Sequence, residues 1–174
     1  MSKALTHYEG RYLSLKEIDR WEYVTRPNAH AVAVLAAVTP DNEIVLVEQF
    51  RRPINARVIE LPAGLVGDLG DPNEPVLEAA GRELIEDTGF EAASLELLME
   101  CPTSSGMTDE IISFVLASGL RKVGPGGGDD SEDIETHVVP LDEVDEWLEA
   151  RHQSGTPLDP KIFTALYWLK NRRG

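Results

Sequence analysis

The chain has 174 residues and a formal net charge of −15, and 42% of its residues are hydrophobic and 27% charged. This length and composition are typical of one globular domain with a core of its own. The negative charge argues against nucleic-acid binding, which depends on clustered Lys and Arg.

Other coarse features exclude further classes of protein. No apolar run approaches the length of a membrane span, and residues 1–10 lack the apolar core of a signal peptide. A single cysteine, Cys101, excludes an internal disulfide and a cysteine metal cluster. We therefore expect a cytoplasmic protein that forms one domain over residues 1–174.

The first half of the chain is rich in predicted strands. Residues 8–26 suggest two short strands around a charged turn at residues 16–20. Residues 31–38 and 43–49 predict a hairpin, because Pro-Asp-Asn between them is typical turn chemistry. Further strands are predicted at residues 57–61, 95–101, 111–117 and 136–139.

Helices are predicted after a glycine-rich loop at residues 63–70. Pro75 suits the first turn of a helix, Leu77, Ala80 and Leu84 repeat at helical spacing, and Gly89 ends it. Two more helices are predicted at residues 141–150 and 160–171. Because strands and helices do not alternate regularly, the predicted fold class is α+β, with a sheet core and flanking helices.

Three acids on the first helix carry the chemical signal. Glu83, Glu86 and Asp87 fall within a sector of about 100° at the border of the apolar stripe. Carboxylates crowded in this way repel one another, and a Mg²⁺ ion bound between them relieves the repulsion. The alternative interpretation is a solvated acidic face on which Arg82 pairs with Glu86.

The segment from residue 64 to 90 resembles the signature of the Nudix hydrolase family. The matching residues are Gly64, Glu74, Arg82-Glu83-Leu84, Glu86-Asp87 and Gly89-Phe90. Two departures stand out: Asp87 replaces the usual Glu, and four extra residues, 67–70, lengthen the loop between Gly64 and Glu74.

The resemblance implies a Nudix fold, in which a mixed β-sheet is sandwiched between helices and preceded by an N-terminal antiparallel strand pair. It also implies a bound Mg²⁺ or Mn²⁺ ion. The implied ligands are the carbonyl of Ala63 and the acids Glu83, Glu86, Asp87 and Glu132. Arg82 would orient the acids through a salt bridge, and Glu74 would be structural.

Features outside this segment resemble the ADP-ribose pyrophosphatase and nucleoside-diphosphate-sugar branch of the family. Residues 46–51 resemble a strand whose final Arg, here Arg51, contacts the diphosphate. Trp21 matches a residue that stacks on the base, often from the partner subunit, and Glu110 matches an acid that contacts the sugar. Each has an alternative: a solvated strand end for Arg51, a core position for Trp21, and an edge charge for Glu110.

The general base of this branch comes from an acidic loop, which here is residues 129–133. Asp130 is the predicted base, and Glu132 is a second candidate that is also a predicted metal ligand. Gly126, Gly127 and Gly128 are expected to make the loop mobile. The alternative interpretation is an acidic surface loop without a catalytic role.

Together these residues predict hydrolysis of a nucleoside-diphosphate sugar, with ADP-ribose as the leading substrate, to a nucleoside monophosphate and a sugar phosphate. The branch also implies a homodimer formed through the strands of residues 1–27. Two alternatives stay open: a Nudix enzyme for nucleoside triphosphates or dinucleoside polyphosphates, and a non-catalytic domain that senses ADP-ribose.

Overall fold

A mixed β-sheet forms the centre of the structure, a computed structural model that describes residues 3–128 and 133–171. The strands in chain order are β1 Leu5–Glu9, β2 Ser14–Ile18, β3 Trp21–Thr25, β4 Ala31–Val38, β5 Glu43–Arg51, β6 Ala56–Glu60, β7 Ala63–Val66, β8 Phe90–Glu91, β9 Ser94–Pro102, β10 Ile111–Ser118, β11 Arg121–Lys122 and β12 Ile134–Pro140. The α-helices are α1 Val76–Thr88, α2 Val144–Gln153 and α3 Lys161–Asn171, and a short 3₁₀ turn spans Arg52–Ile54.

The central sheet has seven strands. Its main path runs β12-β5-β4-β10-β9, with β6 beside β5 and β7 beside β4. Strands β4 and β10 are parallel, and the other pairs in this sheet are antiparallel. The sheet is therefore mixed, as predicted.

Helices cover both faces of this sheet, because the buried strand β4 sends alternate side chains to opposite sides. Val34 and Ala36 pack with the buried side chains of α2 and α3. Ala33, Leu35 and Ala37 pack on the other face with α1, mainly through Ala80 and Leu84. The predicted α+β class, with a sheet core between helices, is confirmed.

The N-terminal sheet contains three strands, one more than predicted. Strands β1, β2 and β3 are antiparallel neighbours, and Lys16, which was predicted in a turn, lies inside β2. The actual turn between β2 and β3 is Asp19-Arg20, with φ of 51° and 68°. Two left-handed residues suit a two-residue hairpin turn, and this turn lies within the predicted one at residues 16–20. The break that was not predicted lies between β1 and β2, where the N–H of Gly10 donates to the carbonyl of Leu13 at 2.8 Å.

The helix ends differ only slightly from the predicted ones. Pro75 precedes α1 as its cap residue, and Gly89 ends the helix with a φ of 68°. Helix α2 begins three residues later than predicted, because the N–H of Glu143 closes a turn on the carbonyl of Pro140. Within the described residues, no helix is long and apolar enough to cross a membrane.

Candidate active site

One open cavity of about 570 Å³ collects most of the residues predicted for the site. The Nudix-segment helix α1 supplies Glu83, Glu86 and Asp87 to its wall. The other predicted residues that line it are Ala63, from β7, Arg51, from the end of β5, and Glu110, just before β10. Residues far apart in the chain therefore meet where the sheet strands end beside α1.

Gly64 allows α1 to approach the sheet closely. A Cβ atom on Gly64 would lie 1.8 Å from Cδ of Glu83, which no real side chain tolerates. The Glu83 side chain is 12% exposed and fills the space that any other residue at position 64 would need. The glycine of the signature thus brings a carboxylate directly against the backbone of β7.

Arg82 organises the acids around it. Its Nη1 donates to Oε1 of Glu83 at 2.6 Å, and its Nη2 donates to Oε1 of Glu74 at 3.2 Å and to the carbonyl of Leu65 at 3.3 Å. Glu74 also accepts the N–H of Gly67 at 2.8 Å, which ties the start of the extended loop to the helix. These contacts give Glu74 and Arg82 positioning roles and leave Glu86 out of the Arg82 network.

Asp87 takes a different position from the other two acids. It is buried, and its Oδ2 accepts the backbone N–H of Ala63 at 3.3 Å. Glu86 on the same helix turn is exposed to the cavity. The shorter Asp side chain is therefore held beside the backbone of β7, close to the residue whose carbonyl is the predicted metal ligand.

Glu83 is a cavity acid with a strongly shifted pKa. Burial raises the pKa of Glu83 to about 7 from its ordinary value of 4.5, and the charges of Glu86 and Asp68 act in the same direction against the Arg82 ion pair. A buried carboxylate in an acidic cavity is stabilised by a bound cation, and hard divalent cations prefer oxygen ligands. The residues of the cavity therefore fit a divalent metal.

The stability of the metal-free protein should fall as the pH rises through this range. Between pH 4.5 and about 7 the folded chain holds a proton on Glu83 that the unfolded chain releases, so the unfolding free energy decreases with pH, by on the order of 3 kcal/mol in total. Denaturant unfolding in EDTA at pH 5 and pH 8 measures this difference. The Glu83→Gln variant should lose this part of the pH dependence, and an identical profile in that variant would contradict the assignment.

The end of α1 is held by the glycine run that follows β11. The N–H groups of Gly127 and Gly128 donate to the carbonyls of Asp87 and Glu86 at 2.9 and 3.1 Å. A Cβ atom on Gly126 would lie 2.4 Å from the carbonyl carbon of Thr88. These glycines were expected to make the loop mobile, but they pack against α1 and satisfy its last carbonyl groups.

The predicted general bases, Asp130 and Glu132, lie outside the described residues. The described chain resumes at Asp133, whose carboxylate accepts Nη1 of Arg57 at 2.8 Å. Of the described residues on either side, Gly128 lies at the end of α1 and Asp133 lies beside Arg57 on β6. Its catalytic role stays a prediction.

The structure separates the three predicted substrate-binding residues into two groups. Arg51 lies in the cavity and forms an ion pair with the buried Glu60, and Glu110 lies there too and accepts Nε of Arg26 at 2.8 Å. Trp21 is not part of this cavity in its own chain. It is 60% exposed, so a core position is wrong, and its Nε1 donates to the carbonyl of Gly106 at 3.2 Å.

Sequence reasoning missed Lys161 as a residue of the cavity. It lies at the start of α3 beside its partner Asp159, and both line the cavity wall. The N–H of Asp159 donates to the carbonyl of Ile59 at 2.9 Å, which fixes this segment against β6. Only this long-range pairing brings the lysine to the site, and the sequence carried no local signal for it.

A second group of metal-ligand side chains lies elsewhere. Glu48, Glu135 and His137 bring potential ligand atoms within 4.8 Å of one another. Because Glu48 precedes Gln49 on β5, its side chain points away from the cavity that Gln49 lines. Although burial favours its neutral form, hydrogen bonds and charges from Arg57 and His137 hold the pKa of Glu48 below its ordinary value. The group is an ion-paired network between β5, β6 and β12.

Comparison with known proteins identifies the family. Residues 29–159 match the model of the NUDIX domain, which is more than half of the chain. The chain belongs to the Nudix family, and the membership predicted from the residue 64–90 signature is confirmed.

Three proteins that are similar to this chain in sequence differ in their names and activities. A methanol dehydrogenase activator from Bacillus methanolicus is 37% identical over 150 residues, which cover 86% of this chain and 75% of that protein. An ADP-ribose pyrophosphatase from Bacillus subtilis (strain 168) is 36% identical over 150 residues, with the same coverage. A GDP-mannose pyrophosphatase from Escherichia coli (strain K12) is 29% identical over 162 residues, 88% of this chain and 80% of that protein.

A crystal structure of an ADP compounds hydrolase shares the fold. It aligns with a TM-score of 0.71 over 98% of this chain and 93% of that chain, at 22% sequence identity. The Nudix fold expected from the sequence is therefore confirmed.

Proposed function

We propose that the protein is a metal-dependent pyrophosphohydrolase that cleaves the diphosphate of a nucleoside-diphosphate sugar, with ADP-ribose as the leading substrate. The observation that carries the proposal is that the three acids of the signature line one cavity together with Arg51 and Glu110. The names of the ADP-ribose and GDP-mannose pyrophosphatase relatives point to the same class of substrate.

Each group of residues has a distinct role in this proposal. Glu83, Glu86, Asp87 and the carbonyl of Ala63 would hold Mg²⁺, or Mn²⁺ in its place, with Glu132 as a further ligand. A divalent cation bound there neutralises diphosphate charge and helps to activate water. Arg51, held in direction by Glu60, binds the diphosphate, and Glu110 contacts the sugar.

The reaction itself is a displacement at phosphorus. A water oxygen bonds to one phosphorus, the bond from that phosphorus to the bridging oxygen breaks, and the other phosphate leaves with that oxygen. Asp130 or Glu132 takes the proton that the water loses. The products are a nucleoside monophosphate and a sugar phosphate, and we propose that the enzyme works in the cytoplasm.

Product release from a substrate panel tests this function. The panel contains ADP-ribose, ADP-glucose, GDP-mannose, UDP-glucose, diadenosine polyphosphates and nucleoside triphosphates, each with Mg²⁺ and with EDTA. We expect metal-dependent release of a nucleoside monophosphate from the diphosphate sugars. Turnover of triphosphates or dinucleotides alone would contradict the substrate class, and tight ADP-ribose binding without turnover would favour a sensing domain.

We also propose that Trp21 completes the site of a partner subunit in a homodimer. Trp21 lies outside the cavity of its own chain, on an N-terminal sheet that exposes the apolar side chains of Leu5, Tyr8 and Trp21 itself. Large exposed apolar groups gathered in one region are typical of an interface. Stacking on the base would then depend on the pairing of two chains.

Replacement of Trp21 by alanine should raise KM about tenfold with little change in kcat, because stacking on a remote base stabilises ground and transition states alike. Steady-state kinetics on the preferred sugar measure this effect. Tyr167→Ala is the matched control, since Tyr167 is a similarly exposed aromatic residue on α3.

Mixed subunits decide which chain the tryptophan serves. If Trp21 acts across a dimer, adding an excess of the Glu83→Gln variant to Trp21→Ala should lower the KM of the mixture towards the wild-type value. In such a heterodimer the intact acids of one chain receive the tryptophan of the other. An unchanged KM in a sample whose subunits have exchanged would contradict the shared site.

A further inference from the structure

The extra residues 67–70 place one more acid at the cavity. Gly67 begins the insertion with a φ of 88°, and its N–H is fixed by Glu74. A Cβ atom on Gly67 would lie 2.8 Å from Nδ1 of His30, so a side chain here would displace His30 and strain the backbone. The next residue, Asp68, lines the same cavity as Glu83, Glu86 and Asp87.

One oxygen of Asp68 lacks a hydrogen-bond partner. Its Oδ1 is buried and has no hydrogen-bond partner among the described residues, while the side chain as a whole is 25% exposed. Nη2 of Arg82 lies 3.7 Å away, which is an ion-pair distance but too long for a hydrogen bond. A buried carboxylate oxygen without a hydrogen-bond donor is costly, so its presence calls for a ligand.

A counter-charge for Arg82 is the competing explanation. Arg82 already donates to Glu74, to Glu83 and to the carbonyl of Leu65, at distances between 2.6 and 3.3 Å. The hydrogen bonds of the Arg82 guanidinium therefore go to other acceptors, and Asp68 receives none of them. Asp68 also brings a further carboxylate to the cavity that Glu83 and Glu86 line.

We propose that Asp68 is a further residue of the metal centre, which supplies an additional carboxylate to the divalent cations held by Glu83, Glu86 and Asp87. The inference rests on the proposed metal-dependent function. It gives the insertion between Gly64 and Glu74 a purpose, because the added loop carries an added acid and lowers the cation concentration that the site needs.

Calorimetric titration with Mn²⁺ and with Mg²⁺, without substrate, tests the inference on the full chain. Asp68→Asn keeps the shape of the side chain and removes its charge, and we expect it to weaken cation affinity about tenfold. Asp71→Asn is the matched control from the same loop, with the same change in charge. Asp71 is exposed and outside the cavity, and an Asn oxygen can still accept the N–H of Asn73, so its affinity should stay near the wild-type value.

Thermal unfolding in EDTA separates the two explanations of Asp68. If Asp68 serves the cation, removing its charge in EDTA should leave Tm unchanged or raise it. If Asp68 is a structural partner of Arg82, the same change should lower Tm. Asp68→Glu restores the charge and should recover much of the affinity, and Asp68→Ser serves as a second neutral variant. Equal cation affinity in wild type and both neutral variants would overturn the inference alone. Failure of the wild type to bind any divalent cation would overturn the proposed function as well.

Discussion

Replacement of Glu83 by glutamine should reduce kcat by about 10³-fold or more in Mg²⁺ and leave the fold intact. Glu83 is the most enclosed of the cavity acids that belong to the Arg82 network, and Gly64 leaves space for this side chain alone. Glutamine has nearly the same size and still accepts a hydrogen bond from Arg82. It lacks the negative charge that the cation requires, so the chemical step is lost while the packing remains.

Three measurements make this result specific. Steady-state turnover gives kcat, titration with Mn²⁺ gives the cation affinity, and unfolding in EDTA at pH 8 gives the stability. Glu78→Gln is a matched control, because Glu78 is an exposed acid on the first turn of the same helix. Retained turnover in Glu83→Gln would show that the cation is held elsewhere in the cavity, and equal loss in Glu78→Gln would point to a general effect of charge.

The part of the site that one helix carries was accessible from the sequence. Glu83, Glu86 and Asp87 lie on one side of α1 because the helical repeat determines their direction, and the apolar stripe determines which side faces the sheet. Gly89 likewise ends α1 where predicted. The helical repeat and the preference of glycine for a left-handed conformation are sufficient to predict these features.

Features that depend on pairing between distant segments were less accessible. Arg51 and Glu110 were placed at the site only through the family resemblance, and Lys161 was missed because Leu158 pairs with Ile59 across 99 residues. The third N-terminal strand was missed because the sequence predicted one strand before the turn at residues 16–20, whereas a turn closed by Gly10 and Leu13 separates β1 from β2. Asp68 was not assigned to the site, because only the fold of the extended loop brings it to the cavity wall.

Gly126 is a position where we expect a large loss of stability. A Cβ atom there would lie 2.4 Å from the carbonyl carbon of Thr88 and 2.7 Å from the nitrogen of Gly89, and φ is 71°. The backbone atoms of α1 and the loop would have to separate, so Gly126→Ala should cost about 3 kcal/mol or more of unfolding free energy. The same separation would move the backbone carbonyls of Glu86 and Asp87, and with them the side-chain carboxylates of these two residues.

Gly70→Ala isolates the contribution of this contact. Gly70 also has a positive φ, 92°, but nothing lies within 4 Å of a Cβ atom there, so alanine should cost only about 1 kcal/mol. Denaturant unfolding compares the stability of the two variants. Steady-state kinetics should show a kcat about 10²-fold lower in Gly126→Ala alone, because a displacement of catalytic groups by about 1 Å has an effect of that size. If both variants lose the same stability and activity, the packing of the glycine loop against α1 does not position the acids. If only Gly126→Ala loses them, the end of α1 and the glycine run packed against it act as one unit.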